Sequence, residues 1–199
     1  MINCPQKDKI WFLECLNNKN LVEKIKTIKL IITDIDGCLT DGQILMHEDE
    51  NEKSKVFSVR DGFAISQCLK HIPIAFLSGR KDLATQTRAK MLGIPDNMCF
   101  IGDDASTDKR NKVRLLQEKN KISIKETLMF GDDFLDINTR ELVRLLVCPQ
   151  NTPFYFHNTA DLIIPRIGGK HAFRLLLDLI LYIKEIHFAQ DYINKSLYN

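Results

Sequence analysis

The chain has 199 residues, of which 44% are hydrophobic and 27% are charged, and its formal net charge is +2. This length suits one domain with a sizeable core, and the near balance of charge gives no argument for binding to nucleic acid or to an anionic membrane. No apolar run reaches the length of a membrane span, and the N-terminal residues lack the apolar core of a signal peptide. We therefore expect a cytoplasmic protein that binds neither nucleic acid nor membrane.

The cysteines show no C-x-x-C spacing. They are Cys4, Cys15, Cys38, Cys68, Cys99 and Cys148. Several lie within apolar runs, where a free cysteine behaves as a small core residue. This pattern favours a reducing compartment and argues against a structural zinc site.

The first 27 residues predict a helical extension. Trp11, Phe12 and Leu16 share one apolar face of a helix, and residues 21–25 predict a second short helix. We expect the extension, residues 1–27, to pack against a main domain at residues 28–189, which a C-terminal tail at residues 190–199 follows.

Two carboxylates follow the first predicted strand. Residues 28–33 form a short apolar run typical of a strand buried on both faces, and the next residues include Asp34, Asp36 and Gly37. Open α/β sheets bind ligands at the carboxyl ends of their strands, and two carboxylates this close repel unless a cation or a proton relieves them. Mg²⁺ suits this role because it prefers oxygen ligands and keeps positions for water and phosphate. The alternative, an ordinary Asp-Gly turn, explains less of the longer pattern Asp-x-Asp-Gly-x-Leu-Thr.

A β-hairpin is predicted directly after Gly42. Residues 43–47 and 53–59 are strand-like runs on either side of the polar turn at residues 48–52, so the hairpin spans about residues 43–59. A protruding hairpin with apolar residues needs a cover, which a partner subunit supplies. A hairpin that folds back onto its own domain is the alternative.

The remainder of the chain alternates strands with helices. Asp61 is expected to cap the first helix, and a helix is expected to follow residues 131–133 and to run to about Arg144. The other predicted helices span residues 81–91, 108–119 and 170 to beyond 186, and the predicted strands span residues 72–77, 98–101, 128–130, 145–148 and 162–164. This alternation predicts an α/β fold with a doubly wound, mostly parallel, Rossmann-like sheet.

The pattern that begins at Asp34 resembles the first signature of the haloacid dehalogenase-type phosphatases. The resemblance implies that Asp34 becomes phosphorylated and that Asp36 is the acid and base. Ser78, Lys109 and an acidic cluster follow in the order of that family, each at a strand end, over roughly residues 28–150. Agreement of four motifs in order argues against chance.

Phosphoryl transfer through an aspartate also needs donors for the phosphoryl oxygens, a compensating positive charge and a divalent cation. Ser78 offers a hydroxyl and a backbone N–H at the end of the second buried strand. Lys109, at a helix start, is assigned the positive charge, with Lys112 one turn away as the alternative.

The acidic cluster at residues 132–136 ends the fourth buried strand and has little structural rationale except metal binding. We assign Asp132 as a direct ligand of Mg²⁺, and Asp133 and Asp136 as support through water or hydrogen bonds. The predicted metal-binding residues are Asp34, Asp36, Asp132 and Asp133.

The chain further resembles the capless 3-deoxy-D-manno-octulosonate 8-phosphate phosphatases and their nonulosonate 9-phosphate relatives, since no cap domain fits between its motifs. The matching segments are residues 36–42, 59–63, 78–81, 92–94, 131–133 and 166–170. The resemblance implies a Mg²⁺-dependent phosphomonoesterase that acts on a phosphorylated sugar acid on the route to lipopolysaccharide or sialic-acid-like sugars. It also implies a homotetramer in which the hairpins pack together. The alternatives are a nonulosonate 9-phosphate phosphatase, a phospho-acceptor signalling domain and a non-catalytic tetrameric partner of a cytidylyltransferase.

A substrate carboxylate needs a cationic group, and the planar fork of arginine suits it. Arg80, which with Gly79 follows the strand-end serine, is the first candidate, and Arg60 is the second. Arg60 equally suits an ion pair with Asp61 at a helix start. His171 stands where the family tends to have glycine, and whether its segment closes a neighbouring active site is left open.

Overall fold

A parallel sheet of six strands lies at the centre of the residues described by this computed structural model, which are 4–46, 53–102 and 109–198. In chain order the strands are β1 (Leu30–Thr33), β2 (Leu45–Met46), β3 (Lys53–Ser54), β4 (Ile74–Ser78), β5 (Cys99–Ile101), β6 (Thr127–Phe130), β7 (Leu145–Pro149) and β8 (Leu162–Ile164). The sheet has the order β5-β4-β1-β6-β7-β8, and each neighbouring pair is parallel. β2 and β3 form a separate antiparallel pair.

The helices of the described residues surround this sheet. They are α1 (Cys4–Asn17), α2 (Lys19–Thr27), α3 (Val59–Cys68), α4 (Leu83–Leu92), α5 (Lys109–Asn120), α6 (Phe134–Ile137), α7 (Phe154–His157), α8 (Ala172–Ile183) and α9 (Gln190–Tyr198). None of them is long and apolar enough to cross a bilayer.

The core forms because the central strands are mostly apolar and are buried along their whole length. All positions of β1, β4, β6 and β7 are buried, the pattern of parallel strands covered on both faces. Helix α8 adds Phe173 and Leu176 to this core, and the Phe173 ring stacks on Phe130 of β6 with 5.3 Å between the ring centroids. The predicted doubly wound α/β fold is confirmed. Between β1 and α3 the described residues add only the β2–β3 pair, in agreement with a capless fold.

Residues 4–27 form two helices, as the sequence pattern predicts. The indole N–H of Trp11 donates to the carbonyl oxygen of Ile163 in β8 at 2.9 Å, and the ring of Phe12 meets Tyr182 of α8 edge-on at 5.4 Å. The side chain of Asn18 caps α2. The extension therefore packs on the sheet and on α8, while the domain boundaries at residues 28 and 189 stay predictions.

The hairpin and the C-terminal helices differ in extent from the predictions. β2 and β3 pair within the two predicted strand-like runs, residues 43–47 and 53–59, and are only two residues long each. The predicted turn at residues 48–52 lies outside the described residues. The last long helix ends at Ile183 and does not run beyond residue 186, because Glu185 takes a left-handed conformation with φ of +60°. The predicted tail then forms helix α9.

The prediction of one helix from the acidic cluster to Arg144 is wrong. Helix α6 is a single turn, and a short 3₁₀ helix at Arg140–Leu142 follows it. The hydroxyl of Thr139 donates to the carbonyl oxygen of Asp136 at 2.7 Å, which occupies an acceptor that a longer helix would use.

Helix α4 shows ordinary signals at both ends. Asp82 caps its start by accepting the N–H of Thr85 at 2.7 Å. Gly93 ends it in a left-handed conformation with φ of +79°. The predicted helix at residues 81–91 is confirmed with a shift of one or two residues.

Ser58, rather than the predicted Asp61, caps α3. The hydroxyl of Ser58 accepts the N–H groups of Arg60 and Asp61 at 3.2 Å each. The carboxylate of Asp61 is 2% exposed and accepts the backbone N–H of Arg174, at the start of α8, at 2.7 Å. Asp61, which the sequence predicts as the cap of α3, therefore accepts a backbone N–H at the start of α8. That helix begins without a side-chain cap from its own N-cap residue.

We expect Asp61→Asn to stabilise the protein at alkaline pH. Burial raises the pKa of Asp61 to about 6, despite hydrogen bonds from Arg174 and Ser58 that lower it. The folded state therefore binds this proton more tightly than the unfolded chain, and the resulting stabilisation is lost as the pH rises through about 6. Urea denaturation should show the free energy of unfolding of the variant exceeding that of the wild type by about 2 kcal/mol at pH 8, and by about half as much at pH 5.

Asp191→Asn is the matched control, since Asp191 is exposed in the first turn of α9. A difference between Asp61→Asn and wild type that stays constant or shrinks from pH 5 to pH 8 contradicts the burial of this carboxylate as its cause.

Candidate active site

The carboxyl ends of β1, β4 and β6 surround a cleft of about 630 Å³. The chain that leaves β1 carries Asp34, β4 ends on Ser78, and the chain that leaves β6 carries Asp132. The sequence-predicted site residues that line this cleft are Asp34, Asp36, Ser78, Gly79, Arg80, Lys109, Asp132 and Asp133. The strand-end rule of open α/β sheets thus accounts for the gathering of residues far apart in the sequence.

Lys109 lies buried between two carboxylates. Its Nζ is 2.6 Å from Oδ1 of Asp34 and 2.6 Å from Oδ1 of Asp136, and its side chain is 4% exposed. Burial alone would lower the pKa of Lys109, but Asp136 and Asp34 raise it well above its usual range, so the amine stays charged. Burial raises the pKa of Asp34 to about 6, a rise that Lys109 opposes and Asp136 supports. The alternative, Lys112, places its Nζ 5.2 Å from the ring centroid of Phe100.

Asp132 brings a further carboxylate to the same place. One oxygen of Asp132, one oxygen of Asp34 and Sγ of Cys38 all lie within 4.8 Å of one another. Burial raises the pKa of Asp132 to about 9, and the charges of Asp34 and Asp136 add to this rise. A pair of hard oxygen ligands with uncompensated negative charge fits Mg²⁺.

Cys38 does not fit as a ligand of such an ion. Burial raises the pKa of its thiol well above the usual range, and Sγ donates to the carbonyl oxygen of Phe130 at 3.7 Å. A protonated sulfur is a poor partner for a hard cation. The thiol therefore acts as a core side chain beside the carboxylates.

Two features shape the loops that hold these carboxylates. Gly37 has φ of +86°, and a Cβ atom at this position would lie 1.9 Å from Oδ2 of Asp132. The glycine of the Asp-x-Asp-Gly pattern therefore makes room for the side chain of Asp132, which lies in the loop after β6. Oδ2 of Asp136 accepts the N–H groups of Asp132 and Asp133 at 3.1 and 3.3 Å, which fixes the loop after β6.

Asp36 lies at the cleft beside a residue that the sequence reasoning missed. Nζ of Lys55 is 2.8 Å from Oδ1 and 3.0 Å from Oδ2 of Asp36. Nε of Arg80 is 3.6 Å from Oδ2 of Asp36. A lysine within the strand-like run 53–59 was the only sequence signal for Lys55, and such a lysine is usually solvated.

Ser78 and the two residues after it form the side of the cleft that can bind an anion. Oγ of Ser78, which is 2% exposed, accepts the N–H of Arg80 at 3.3 Å. The side chain of Arg80 is half exposed, so its guanidinium is available to a ligand in the cleft.

Asp133 and Arg60 are placed differently from the other predicted residues. Oδ1 of Asp133 accepts the N–H of Phe134 at 2.7 Å and caps α6, and the hydroxyl of Tyr155 donates to the same oxygen at 3.4 Å. The close group of ligand atoms in the described residues contains neither the Asp133 nor the Asp36 carboxylate. Arg60 is exposed on the first turn of α3 and does not line the cleft.

The segment at residues 166–170 packs on the loop after β1 of its own chain. The N–H of Gly169 donates to the carbonyl oxygen of Cys38 at 2.9 Å, and a Cβ atom at Gly168 would lie 1.7 Å from the carbonyl oxygen of Gly37. Burial lowers the pKa of the adjacent His171, and the charge of nearby Arg60 contributes.

Comparison with known proteins relates the chain to phosphatases. No protein-family model matches it. It is 35% identical over 161 residues to a 3-deoxy-D-manno-octulosonate 8-phosphate phosphatase of Haemophilus influenzae, with 80% of this chain and 86% of the relative covered.

Solved structures agree with this relationship. The 3-deoxy-D-manno-octulosonate 8-phosphate phosphatase of Moraxella catarrhalis, in complex with magnesium, phosphate and 3-deoxy-D-manno-octulosonate (KDO), is similar with a TM-score of 0.77 and 28% identity over 90% of this chain and 98% of that one. A Legionella pneumophila hydrolase of the HAD superfamily is similar with a TM-score of 0.80 and 28% identity over 92% and 97% of the two chains. The chain therefore belongs to the 3-deoxy-D-manno-octulosonate 8-phosphate phosphatase family of the haloacid dehalogenase-type hydrolases.

Proposed function

We propose that this chain is a Mg²⁺-dependent phosphatase that hydrolyses 3-deoxy-D-manno-octulosonate 8-phosphate through an aspartyl-phosphate intermediate. The observation that carries the proposal is the 2.6 Å contact of the buried Lys109 with Asp34. It balances the charge of a carboxylate that faces an open cleft, which suits attack on a phosphate. The substrate named for the related enzymes supports the choice of sugar acid.

The reaction has two balanced steps. In the first, the carboxylate of Asp34 attacks phosphorus, the bond between phosphorus and the sugar oxygen breaks, and Asp36 gives its proton to that oxygen. In the second, water attacks the phosphorus of the aspartyl phosphate, Asp36 takes a proton from the water, and the bond between phosphorus and the carboxylate oxygen of Asp34 breaks. Inorganic phosphate leaves, and both aspartates return to their starting states.

The other cleft residues bind and compensate charge. Ser78 is proposed to donate to a phosphoryl oxygen, and Lys109 to hold its neighbouring carboxylates in place. Asp34 and Asp132 would hold Mg²⁺, which when bound offsets the negative charge of the phosphate. Asp36 and Asp133, whose carboxylates lie outside the close group of ligand atoms, stay predicted metal-binding residues.

The substrate carboxylate is proposed to bind Arg80 beside Gly79. Arg80 is half exposed at the cleft, where its fork can take two carboxylate oxygens. Arg60, outside the cleft of its own chain, is the second proposed substrate-binding residue and would act from a neighbouring subunit.

We propose a homotetramer assembled through the hairpin. Around β2 and β3 several large apolar side chains are exposed, for example Leu45 at 62% and Val56 at 76%. Such a patch on a protruding element favours a subunit interface. We also propose a cytoplasmic location, which the free thiols of Cys15, Cys38, Cys68, Cys99 and Cys148 support.

Phosphate release from a panel of sugar phosphates in the presence of Mg²⁺ tests the proposed reaction. We expect 3-deoxy-D-manno-octulosonate 8-phosphate to be preferred, and Asp34→Asn to lower kcat/KM by at least about 1,000-fold because the nucleophile is lost. Asp96→Asn, at an exposed position before β5, is the control for loss of a carboxylate.

Preference for a nonulosonate 9-phosphate would replace the proposed substrate and keep the chemistry. Absence of phosphate release from every sugar phosphate, or an active Asp34→Asn protein, would overturn the proposed reaction.

We expect Leu45→Lys to lower the molar mass of the assembly in solution. A charge at this exposed apolar position opposes burial between subunits. Light scattering after gel filtration should give a tetramer for the wild type and a smaller species for the variant. Ile124→Lys, at an exposed apolar position on the short 3₁₀ helix before β6, is the control and should leave the mass unchanged. A wild-type monomer, or a variant that stays tetrameric, argues against assembly through the hairpin.

A further inference from the structure

Lys55 connects three parts of the chain at the edge of the cleft. Besides its contact with Asp36, its Nζ lies 2.6 Å from Oδ2 of Asp82 and 3.2 Å from Oγ1 of Thr85. Its side chain is 2% exposed. An ammonium has three N–H donors, so these acceptors can satisfy all of them.

The segment that carries Lys55 is itself held against α4. The guanidinium of Arg88 donates to the carbonyl oxygen of Ser58 at 3.1 Å and lies 5.8 Å from the ring centroid of Phe57. Because Asp82 caps α4 and Thr85 lies in its first turn, the start of α4 holds the ammonium, and Arg88 of the same helix holds the backbone that carries Lys55. Lys55 is therefore held by contacts other than its contact with Asp36.

We propose that Lys55 is a positioning residue that holds the carboxyl group of Asp36 where it transfers protons in the proposed reaction. This inference rests on the proposed function of the same cleft. Asp36 is the more exposed partner, since its side chain is 23% exposed whereas that of Lys55 is nearly enclosed. When Asp36 carries a proton on one oxygen, its other oxygen still accepts from Lys55.

A residue that positions the proton donor matters most when the leaving group needs that proton. The sugar oxygen leaves as an alkoxide unless Asp36 protonates it as its bond to phosphorus breaks. The oxygen of p-nitrophenol is stable as an anion and leaves without a proton. A general structural defect would slow both substrates alike, whereas misplacement of Asp36 slows the sugar phosphate selectively.

The test compares kcat/KM of wild type, Lys55→Met and Lys55→Arg for 3-deoxy-D-manno-octulosonate 8-phosphate and for p-nitrophenyl phosphate. For Lys55→Met we expect a fall of about 10- to 100-fold with the sugar phosphate and of less than about threefold with the aryl phosphate. Lys55→Arg keeps a cation and should recover at least about tenfold of the loss with the sugar phosphate. For each protein, the ratio of kcat/KM for the sugar phosphate to kcat/KM for the aryl phosphate is independent of the fraction of folded enzyme, because both values are measured on one preparation.

Lys24→Met is the matched control. Lys24 lies on α2, away from the cleft, and forms an ion pair with Asp161. It should leave the ratio unchanged. An unchanged ratio in Lys55→Met, with an active wild type, rejects the role of Lys55 and leaves the proposed function intact. A wild type that releases no phosphate from the sugar phosphate rejects the proposed function itself.

Discussion

The contact of one buried ammonium with two buried carboxylates organises this protein. Lys109, from the first turn of α5, binds Asp34 after β1 and Asp136 in α6. Removal of one partner from a buried ion pair leaves an uncompensated charge and costs about 3–5 kcal/mol. The same contact therefore joins the elements at the sheet edge and sets the charge of the proposed nucleophile.

The charges around this ammonium do not balance. Asp34, Asp132 and Asp136 face a single lysine, and the pKa of Asp132 rises to about 9 as a result of burial and of the two neighbouring carboxylates. A divalent cation at Asp34 and Asp132 would remove this excess. In the family to which the chain belongs, the Moraxella catarrhalis structure contains magnesium and phosphate. The electrostatics of the described residues thus agree with a metal site on physical grounds.

The sequence predicts what local pattern determines. Apolar runs followed by polar residues locate Asp34, Ser78 and Asp132, because the carboxyl ends of parallel strands lie at one edge. The fold class follows from the same alternation of strands and helices. Contacts between distant elements lie beyond such reasoning: Asp61 reads as a cap of its own helix yet binds the start of α8, 113 residues away. The sequence pattern predicts a solvated strand residue at Lys55. Only the structure shows that the segment after β3 packs against α4 and buries this side chain.

The measurement that tests the charge argument most directly is thermal unfolding of the wild type and Asp132→Asn at pH 7.5, with EDTA and with Mg²⁺. In EDTA the variant should unfold at a higher temperature, because folding raises the pKa of Asp132 to about 9 and an amide removes the cost of burying this carboxyl group. Mg²⁺ should raise the unfolding temperature of the wild type and have much less effect on the variant, because the ion binds the folded site through Asp132. An equal rise in both proteins, or no rise in the wild type, would contradict a magnesium site built on Asp34 and Asp132.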